Sequence, residues 1–573
     1  MLRDVGYLLL LISIPALVLV HLSLAPYTKV EESFHIQAIH DIETYGIPTR
    51  NVSDVLRAEY DHFTFPGAVP RTFAGAVVLS TLSTPFRWLN QDIDRQFAAR
   101  AMLGLFNALS LLSFVHALRR TAGRTAATWY LLFQASQFHI IYYASRTLSN
   151  MFAFGITTLA LAALLPTQPA DRQTCRKRSR VALYLITIAG IVFRAELALF
   201  LATHTLFLLA TGRIGIQHDI IPAGALGLIL GLSITVPVDS FFWQQFPLWP
   251  ELAAFKFNVV AGQASAWGTH PWHYYFTNAI PRLLLNPSTY LIGIPVALLQ
   301  PATRRISTSI LLPSLAYVLI YSVQPHKEWR FIVYAIPPLT AAAALGTSYI
   351  WTHRTKSLLY RLLSVAMIGS TLVSFAVSSF ILLPASSANY PGAHALNALH
   401  AHVHSTTTTP PENHTALSIH LGNLACQTGV TRFLQLPSHH RHDASRSSES
   451  WHYDKSDSRA EKSTPSFWSQ FDYLLLEPNE ANSVRALTTV AGSWEDVETI
   501  TGFAGLRVLR PGEEALGIVE EEILRKVCDG ESADWLVGRW KGLVEVVRGR
   551  VTRGWWVEVR MEPRITVLKR VKT

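Results

Sequence analysis

Charged residues are scarce in this chain. Lys, Arg, Asp and Glu make up 15% of its 573 residues, whereas hydrophobic residues make up 50%. A soluble globular protein carries about 25% charged residues. The shortage of charge therefore excludes an ordinary soluble protein and indicates one that is embedded in a membrane.

Cysteine is scarcer still, with only Cys175, Cys426 and Cys528 in the whole chain. Three cysteines make no disulfide framework, and none of them has metal-ligand spacing. The sequence therefore predicts neither a structural metal site nor a cofactor. The net charge of +10 does not indicate a nucleic-acid partner, because many of the basic residues lie in short loops that orient membrane proteins.

Long apolar runs are abundant, and about 20 apolar residues are enough for a helix to cross a bilayer. The first run has no small-residue cleavage site, so it is interpreted as a retained signal anchor. Thr72–Thr84, at about 13 residues, is too short to cross and is predicted to be re-entrant or to lie on the membrane surface. We predict a polytopic all-α membrane protein with about eleven transmembrane helices, near residues 6–25, 99–118, 125–143, 151–166, 181–194, 195–210, 220–238, 284–300, 310–323, 331–350 and 362–383.

The basic loops set the predicted orientation. The positive-inside rule assigns such loops to the cytoplasm, and with eleven spans four of them fall on that side: Leu118–Arg124, Asp171–Arg180, Pro301–Ser307 and Thr352–Arg361. The opposite face then holds the long first loop, residues 26–98, and the region after residue 383. Two acceptor sequons, at Asn51 and Asn413, also fall there, which favours a luminal face in the secretory pathway.

Several charged residues stand directly beside apolar helix ends on this luminal face. A single one would serve as a snorkelling anchor, but ionisable residues at membrane depth also line cavities or pair with one another. Together with the adjacent carboxylates after the first span, they favour a polar site. The residues concerned are Glu31, Glu32, Arg146, Arg194, Glu196, His326, Lys327, Glu328 and Arg330.

This combination suits sugar transfer from a lipid phosphate. Glu31 or Glu32 could act as the general base that deprotonates an acceptor hydroxyl, since adjacent carboxylates discourage each other's ionisation. The segment "HKEWR" offers three cationic donors for the departing phosphate, His326, Lys327 and Arg330. Glu328 could orient one of these cations.

Five motifs carry a resemblance to a known family: "PYTKVEESF", "YDHFTFPGAVPRTF", "SRTLSN", "FRAEL" and "HKEWRF". Together they resemble the endoplasmic-reticulum mannosyltransferases that use dolichyl-phosphate-mannose, glycosyltransferase family 22. The first two are more particular, and are similar to members that add an α-1,6-linked mannose to the lipid-linked N-glycan precursor carrying seven mannoses. The resemblance runs from about Pro26 to Phe331 and resumes at "ACQTGVTRFLQL" (Ala425–Leu436) and "FDYLLLE" (Phe471–Glu477).

The resemblance implies a GT-C fold and a luminal active site in the endoplasmic-reticulum membrane. It implies metal-independent inverting transfer from dolichyl-phosphate-mannose to a dolichyl-pyrophosphate-linked oligosaccharide, with membrane lipid and no nucleic acid as partners. Related enzymes have Asp-Glu at the carboxylate pair, which makes Glu31 the leading base and Glu32 the second. His35 stands where the family pattern has Asn. Arg146 is implied as a further phosphate contact, and the implied supporting residues are Glu328, Arg194, Glu196, Asp61, His62 and Arg71.

Other segments leave structural alternatives open. "DID" (Asp92–Asp94) has the spacing of a metal-binding DxD motif, but a monophosphate lipid donor needs no metal bridge. "SRTLSN" (Ser145–Asn150) could simply be a turn between two helices, and Arg194 and Glu196 could pair only to join two broken helices. The aromatic loop Trp249–Phe276 could stack on sugar rings or form an interfacial belt.

The chain is predicted to have two regions. Residues 1–383 form the transmembrane catalytic domain, and residues 384–573 form a small luminal α/β region. The Ser-rich stretch at 438–466 is expected to be disordered. Strands are predicted within this region at Phe471–Glu477, Gly542–Arg550, Trp555–Met561 and Ile565–Arg570.

Other functions remain open at this point. A mannosyltransferase of the glycosylphosphatidylinositol-anchor pathway, or one that makes another linkage on the N-glycan precursor, would share "HKEWRF". A lipid-linked oligosaccharide transporter would be expected to show inverted repeats and broken helices near the bilayer midplane. A non-catalytic scaffold would be expected to lack the carboxylate pair or the cations, and both are present.

Overall fold

The computed structural model describes residues 2–90, 92–166, 171–406, 416–436, 450–487, 493–527 and 530–571. The chain divides into two compact units, the first made of residues 1–23 and 41–379 and the second of residues 24–40 and 380–573. The division near residue 380 lies close to the predicted boundary. Residues 24–40 differ from the prediction, because this part of the long first loop belongs to the second unit.

The first unit is helical throughout its described ranges. The helices are α1 (Leu2–Leu24), α2 (Val30–Tyr45), α3 (Val52–Glu59), α4 (Asp61–Thr64), α5 (Ala74–Leu89), α6 (Arg95–Ser136), α7 (Phe138–Tyr143), α8 (Ser149–Leu164), α9 (Arg172–Val192), α10 (Leu197–Ala210), α11 (Ile221–Trp243), α12 (Pro250–Phe255), α13 (Ile280–Leu284), α14 (Ile294–Leu299), α15 (Pro301–Tyr321), α16 (Ile336–Thr352) and α17 (Leu358–Val377). The first half of α2 belongs to the second unit. Proline stands in the first turn of α13, α14 and α16, where its missing N–H costs no helical hydrogen bond.

Five helical stretches in the described residues are long and apolar enough to cross a membrane: Asp4–Leu24, Arg95–Ser136, Ile216–Trp243, Trp329–Thr352 and Leu358–Ser387. A sixth would be the pair Tyr275–Leu284 and Thr289–Leu299, which is bent by 114°. The chain is thus a multi-pass membrane protein. The predicted runs 99–118 and 125–143 correspond to α6, whose helical geometry breaks at Gly123 (φ 86°, ψ 174°), followed by the short α7. Thr72–Thr84 lies at α5, one of the shorter apolar helices.

Glycine allows helices of the first unit to approach closely. A Cβ atom on Gly346 of α16 would lie 1.9 Å from the Gly293 carbonyl oxygen, and one on Gly155 of α8 would lie 2.3 Å from the Phe106 ring on α6. Small residues at such crossings let backbones pack by direct van der Waals contact. Both positions therefore exclude any larger side chain without a shift of the neighbouring element.

The second unit is built around a five-stranded mixed sheet in the order β2-β1-β3-β5-β4. Its strands are β1 (Ala416–Leu421), β2 (Ser450–Asp454), β3 (Tyr473–Leu476), β4 (Ser493–Leu509) and β5 (Trp556–Val571). β1 runs parallel to β2 and β3, whereas β5 is antiparallel to β3 and β4. The helices are α18 (Leu383–Ser387), α19 (Pro391–Thr406), α20 (Asn423–Gln427), α21 (Arg459–Lys462), α22 (Pro465–Trp468), α23 (Pro478–Leu487), α24 (Ile518–Val527) and α25 (Glu531–Arg550).

The core of this unit joins α19 to the sheet through Leu396, Ile419, Leu475 and Val567, all fully buried. β3 is buried along its whole length, as expected of a strand with neighbours on both edges and helices on its faces. "FDYLLLE" thus contains the central strand of the sheet.

Two predictions for the second unit are corrected by the structure. Gly542–Arg550 is the end of α25 and not a strand, because Val537, Val544 and their neighbours Trp540 and Val547 recur at intervals of three or four residues and face inward, which is helical periodicity. The prediction of disorder does not hold for residues 450–466, which contain β2, α21 and the start of α22. Residues 438–449 and the sequon at Asn413 lie outside the described ranges.

Candidate functional site

The carboxylate pair lies in the first turn of α2. The Lys29 backbone N–H donates to Glu32 Oε1 at 3.1 Å, and the Glu32 N–H donates back to the Lys29 carbonyl at 2.9 Å. The first of these bonds is the glutamate half of a capping box, in which the side chain of the third helical residue satisfies the N–H before the helix, and the second is a backbone turn. Glu32 is 2% exposed, whereas Glu31 is exposed. The two adjacent carboxylates therefore differ in environment, one closing the helix and the other directed outward.

Residues of the C-terminal motif "ACQTGVTRFLQL" hold this end of α2. Lys29 forms an isolated antiparallel bridge with Thr428, and the Arg432 backbone N–H donates to Gln37 Oε1 at 3.1 Å. Gly429 adopts φ +112° between these contacts, a conformation that L side chains rarely adopt. The motif thus supports the helix that carries the carboxylates, a role that its sequence did not indicate.

His35 follows the carboxylates by one turn and is fully buried. Its ring meets the Phe34 ring edge-on, with centroids 5.4 Å apart. The structure places this departure from the family pattern inside the packed face of α2.

In the first unit, "HKEWR" forms a compact ion-paired turn that continues into the helical segment Trp329–Ala335. Arg330 binds Glu328 through two contacts, Nη2 to Oε1 and Nε to Oε2, both at 2.7 Å. His326 Nε2 lies 3.0 Å from the same Oε1. Burial pushes the pKa of Glu328 upward, but the Arg330 guanidinium and the His326 ring outweigh it and hold that pKa below its usual value. Glu328 thus contacts both His326 and Arg330, whereas the sequence predicted that it orients one of the cations.

Lys327 turns away from this pair. Its Nζ donates to the backbone carbonyls of His270, at 3.0 Å, and Gln324. The side chain is buried, and burial lowers its pKa. His326 Nδ1 lies 3.0 Å from the Gly268 carbonyl. One donor of the Lys327 ammonium group therefore holds the aromatic loop against the turn through His270, as His326 does through Gly268, and a second donor bonds to Gln324 just before the turn. The sequence did not separate this positioning function from phosphate binding.

Three of the motifs meet in one buried hydrogen-bond network. Arg194 Nε lies 2.9 and 3.1 Å from the two oxygens of Glu196. The Asn150 amide donates to Glu196 Oε1 at 2.9 Å, to the Tyr334 hydroxyl at 3.1 Å and to the Arg330 carbonyl at 3.2 Å. The structure therefore joins "SRTLSN", "FRAEL" and "HKEWRF" through Asn150, which sequence reasoning had not singled out.

Glu251 on α12 adds a second carboxyl group beside this network. Its Oε2 accepts the Ala195 backbone N–H at 2.7 Å. Burial raises the pKa of Glu251 to about 8, although Arg194 opposes the shift. Sequence reasoning missed this residue, and the only available signal was an acidic residue within an otherwise aromatic and apolar loop.

Arg146 is buried, and its guanidinium lies 4.2 Å from the centre of the Tyr142 ring. The Leu148 N–H donates to the Arg146 carbonyl at 2.8 Å, which forms the turn between α7 and α8. Arg100 of α6 donates from Nε to the Ser145 carbonyl at 3.3 Å. "SRTLSN" is thus a helix-to-helix turn that also carries a buried arginine over an aromatic face, a favourable cation–π arrangement.

The motif "YDHFTFPGAVPRTF" packs against the end of α11. His62 Nε2 lies 2.9 Å from the Phe242 carbonyl, and Trp243 Nε1 donates to the Arg71 carbonyl at 3.0 Å. The Asp61 backbone N–H donates to Asp41 at 2.8 Å. The three predicted supporting residues therefore participate in fixing the loop after α3, with His62 buried and Arg71 exposed.

The DxD spacing at Asp92–Asp94 has a structural explanation. Asp94 is the N-cap of α6 and accepts the Phe97 N–H at 3.1 Å, which satisfies one of the free N–H groups of the helix start. Within the described ranges, no group of three or more His, Cys, Asp or Glu residues is arranged to hold a metal ion.

The fold defines the class of protein first. The crystal structure of ArnT from Cupriavidus metallidurans bound to undecaprenyl phosphate matches 86% of this chain and 96% of that chain, with a TM-score of 0.54 and 14% sequence identity. At this identity the likeness shows the fold alone. The predicted GT-C glycosyltransferase fold is thereby confirmed.

The sequence comparisons define the family. Residues 16–435 match the family described as Alg9-like mannosyltransferases. A protein of Saccharomyces cerevisiae named Dol-P-Man:Man(7)GlcNAc(2)-PP-Dol alpha-1,6-mannosyltransferase is 33% identical over 85% of this chain and 86% of its own length. A Schizosaccharomyces pombe protein described as a probable enzyme of the same name is 35% identical over 80% and 74%. The chain belongs to the Alg9-like mannosyltransferase family and is a glycosyltransferase.

Proposed function

We propose that this chain transfers mannose from dolichyl-phosphate-mannose to the seven-mannose lipid-linked oligosaccharide Man(7)GlcNAc(2)-PP-dolichol, forming an α-1,6 linkage. The observation that carries this proposal is the 33% identity over 85% of the chain with a relative that bears the name of this activity. The motifs "TKVEESF" and "YDHFTFPGAVPRTF", which are more specific than "HKEWRF", also resemble those of the α-1,6-mannosyltransferases within the family.

Glu31 is proposed as the general base. Its exposed side chain at the start of α2 suits contact with a bulky oligosaccharide hydroxyl, and a carboxylate within hydrogen-bond reach can remove the proton as the oxygen attacks the anomeric carbon. Glu32 acts as a positioning residue, because its Oε1 accepts the Lys29 N–H and fixes the first turn. This difference in environment supports Glu31, rather than Glu32, as the base.

Arg330 and His326 are proposed to stabilise the charge on the departing phosphate, with Arg146 as a further contact. Glu328 holds the first two at 2.7 and 3.0 Å, so their donors are oriented before substrate arrives, which is the condition for electrostatic stabilisation of a developing anion. The network of Arg194, Glu196 and Asn150 supports the "HKEWR" turn through the Arg330 carbonyl. Asp61, His62 and Arg71 support the adjoining loop.

The reaction balances without a metal or cofactor. The acceptor oxygen forms the new bond to the anomeric carbon as the bond to the phosphate oxygen breaks, and the electron pair leaves with dolichyl phosphate. The acceptor proton passes to Glu31. Single displacement at the anomeric carbon inverts a β-linked donor to an α-linked product.

The proposed setting is the endoplasmic-reticulum membrane, with the site on the luminal face and about eleven spans. Helices occur at each of the predicted apolar runs, and the basic loops between them favour this orientation. The C-terminal region, residues 384–573, is then luminal. Asn51 is exposed, as a glycosylation acceptor would be.

The proposed function is tested with purified enzyme, dolichyl-phosphate-mannose and the seven-mannose acceptor. The expected product carries one additional mannose that an α-1,6-specific mannosidase removes, and a chelator leaves the rate unchanged. The precursor with one fewer mannose is the matched acceptor control. Elongation of a glycosylphosphatidylinositol precursor, with the seven-mannose acceptor unchanged, would instead assign the chain to the anchor pathway.

A further inference from the structure

The C-terminal unit carries a helical hairpin with an exposed apolar stripe. α24 and α25 follow β4 and precede β5 in the chain, and they pack against each other. One face of α25 is buried through Ala533, Val537 and Val544. Roughly opposite to that face, at 100° per residue, Trp535, Leu543 and Val546 are 62%, 54% and 53% exposed. At 100° per residue these three side chains fall within an arc of about 80°, and we call them the exposed apolar stripe.

Cationic side chains lie within the exposed apolar stripe. Arg539 and Arg550 share its arc at 100° per residue, and the Arg539 guanidinium lies 5.5 Å from the centre of the Trp535 ring. Glu545 falls on the other side of the helix and is exposed. A Trp, aliphatic residues and Arg on one face, with carboxylates on another, is the composition of helices that lie in a membrane interface.

The hairpin is also tied to a membrane span. Trp540 of α25 stacks on Phe380, with ring centroids 5.6 Å apart and planes inclined by 26°. Phe380 belongs to the apolar stretch Leu358–Ser387 and is itself 53% exposed. Along the helix axis, Phe380 lies about 10 Å before Ser387, the last residue of that stretch. α18, which ends at Ser387, packs against α24, so both helices of the hairpin contact the end of that apolar stretch.

We propose that the exposed apolar stripe of α25 inserts into the boundary between lipid headgroups and acyl chains of the bilayer that Leu358–Ser387 crosses. Arg539 and Arg550 then contact lipid phosphates, and Trp535, Leu543 and Val546 leave water. Lipid is the occupant because the hairpin is continuous, through Trp540 and Phe380, with the exposed surface of a membrane-crossing helix.

The test measures the depth of single sites in the full-length protein. Cys175, Cys426 and Cys528 are replaced by Ser, and one new cysteine is introduced by Leu543→Cys or by Glu545→Cys. Each protein is labelled with an environment-sensitive fluorophore and placed, one copy per nanodisc, in lipid that carries a nitroxide near the headgroup. The two sites are two residues apart and so lie about 200° apart around the helix axis.

Quenching by the nitroxide lipid is expected to be about twofold stronger at position 543 than at 545, because an interfacial helix buries its apolar face about 5–10 Å. The emission at 543 should also shift to the blue. Equal quenching at the two sites would overturn the proposal. So would a blue shift at 543 without quenching, since that result would indicate a protein surface as the occupant. Retained transferase activity in both labelled variants controls for folding.

Discussion

The sharpest consequence of the structure concerns the two adjacent carboxylates, because their environments predict unequal effects of the same substitution. Glu31→Gln removes the proposed base. Loss of general-base catalysis costs about 10²–10⁴-fold in rate, which corresponds to about 2.7–5.4 kcal/mol in the barrier. Glu32→Gln keeps an acceptor for the Lys29 N–H, now 3.1 Å from the carboxylate, since Gln also serves in a capping box. Replacing a charged acceptor by a neutral one weakens that hydrogen bond by about 1 kcal/mol. The transfer rate of Glu32→Gln should therefore fall by no more than about fivefold.

The assay is the initial rate of mannose transfer at saturating donor, with kcat and KM determined separately for each variant. Glu31→Gln should lower kcat with little change in KM for either substrate. Glu498→Gln, which removes an exposed carboxylate on β4, is the matched control and should behave as wild type. A Glu32→Gln enzyme that loses a hundredfold or more while Glu31→Gln stays within fivefold would refute the assignment of the base.

Three further outcomes follow from the first unit. Asn150→Leu keeps the number and branching of the side-chain heavy atoms but removes the donor to Glu196, so the free energy of unfolding should fall by about 2–3 kcal/mol. An unchanged melting temperature in detergent would contradict the network. Glu251 has its pKa raised from 4.5 to about 8, so its folded form retains a proton that the unfolded chain has lost, and stability falls as pH rises between those values. Glu251→Gln should flatten this dependence, which equal slopes of melting temperature against pH would disprove. Gly346→Ala places a Cβ 1.9 Å from a carbonyl oxygen and should lower the free energy of unfolding by about 1–3 kcal/mol. The control Gly369→Ala meets nothing within 4 Å and should be neutral or slightly stabilising. Equal losses of stability in the two variants would contradict the close packing at Gly346.

The fold class could be predicted because apolar runs and a handful of motifs are local properties of the chain. Five motifs, "HKEWRF" and "PYTKVEESF" among them, together identified the family, and the family match over residues 16–435 confirms it. Within "HKEWR", the prediction that Glu328 orients a neighbouring cation also needed only local spacing, because the partners are two residues apart on either side.

What could not be predicted depends on contacts between distant residues. Asn150 reaches Tyr334 across 184 residues, and Glu251 reaches Ala195 across 56. The sequence around Asn150 and around Glu251 has no pattern that predicts these hydrogen-bond partners. The assignment of Gly542–Arg550 to a strand failed for a different reason, since its run of valines favours β structure and only the wider helical spacing from Val537 onward identifies α25. Tertiary packing decided that segment against its local propensity.

The support of α2 by the C-terminal motif has a consequence for the timing of synthesis. Gln37 and Arg432 are 395 residues apart, and ribosomes add about 5–20 residues per second, so roughly 20–80 s pass between the appearance of the two partners. During that interval the acidic end of α2 lacks the segment that will hold it in the finished enzyme. A nascent chain would thus gain its activity only after residue 432 has been translated, however early its first membrane helices insert.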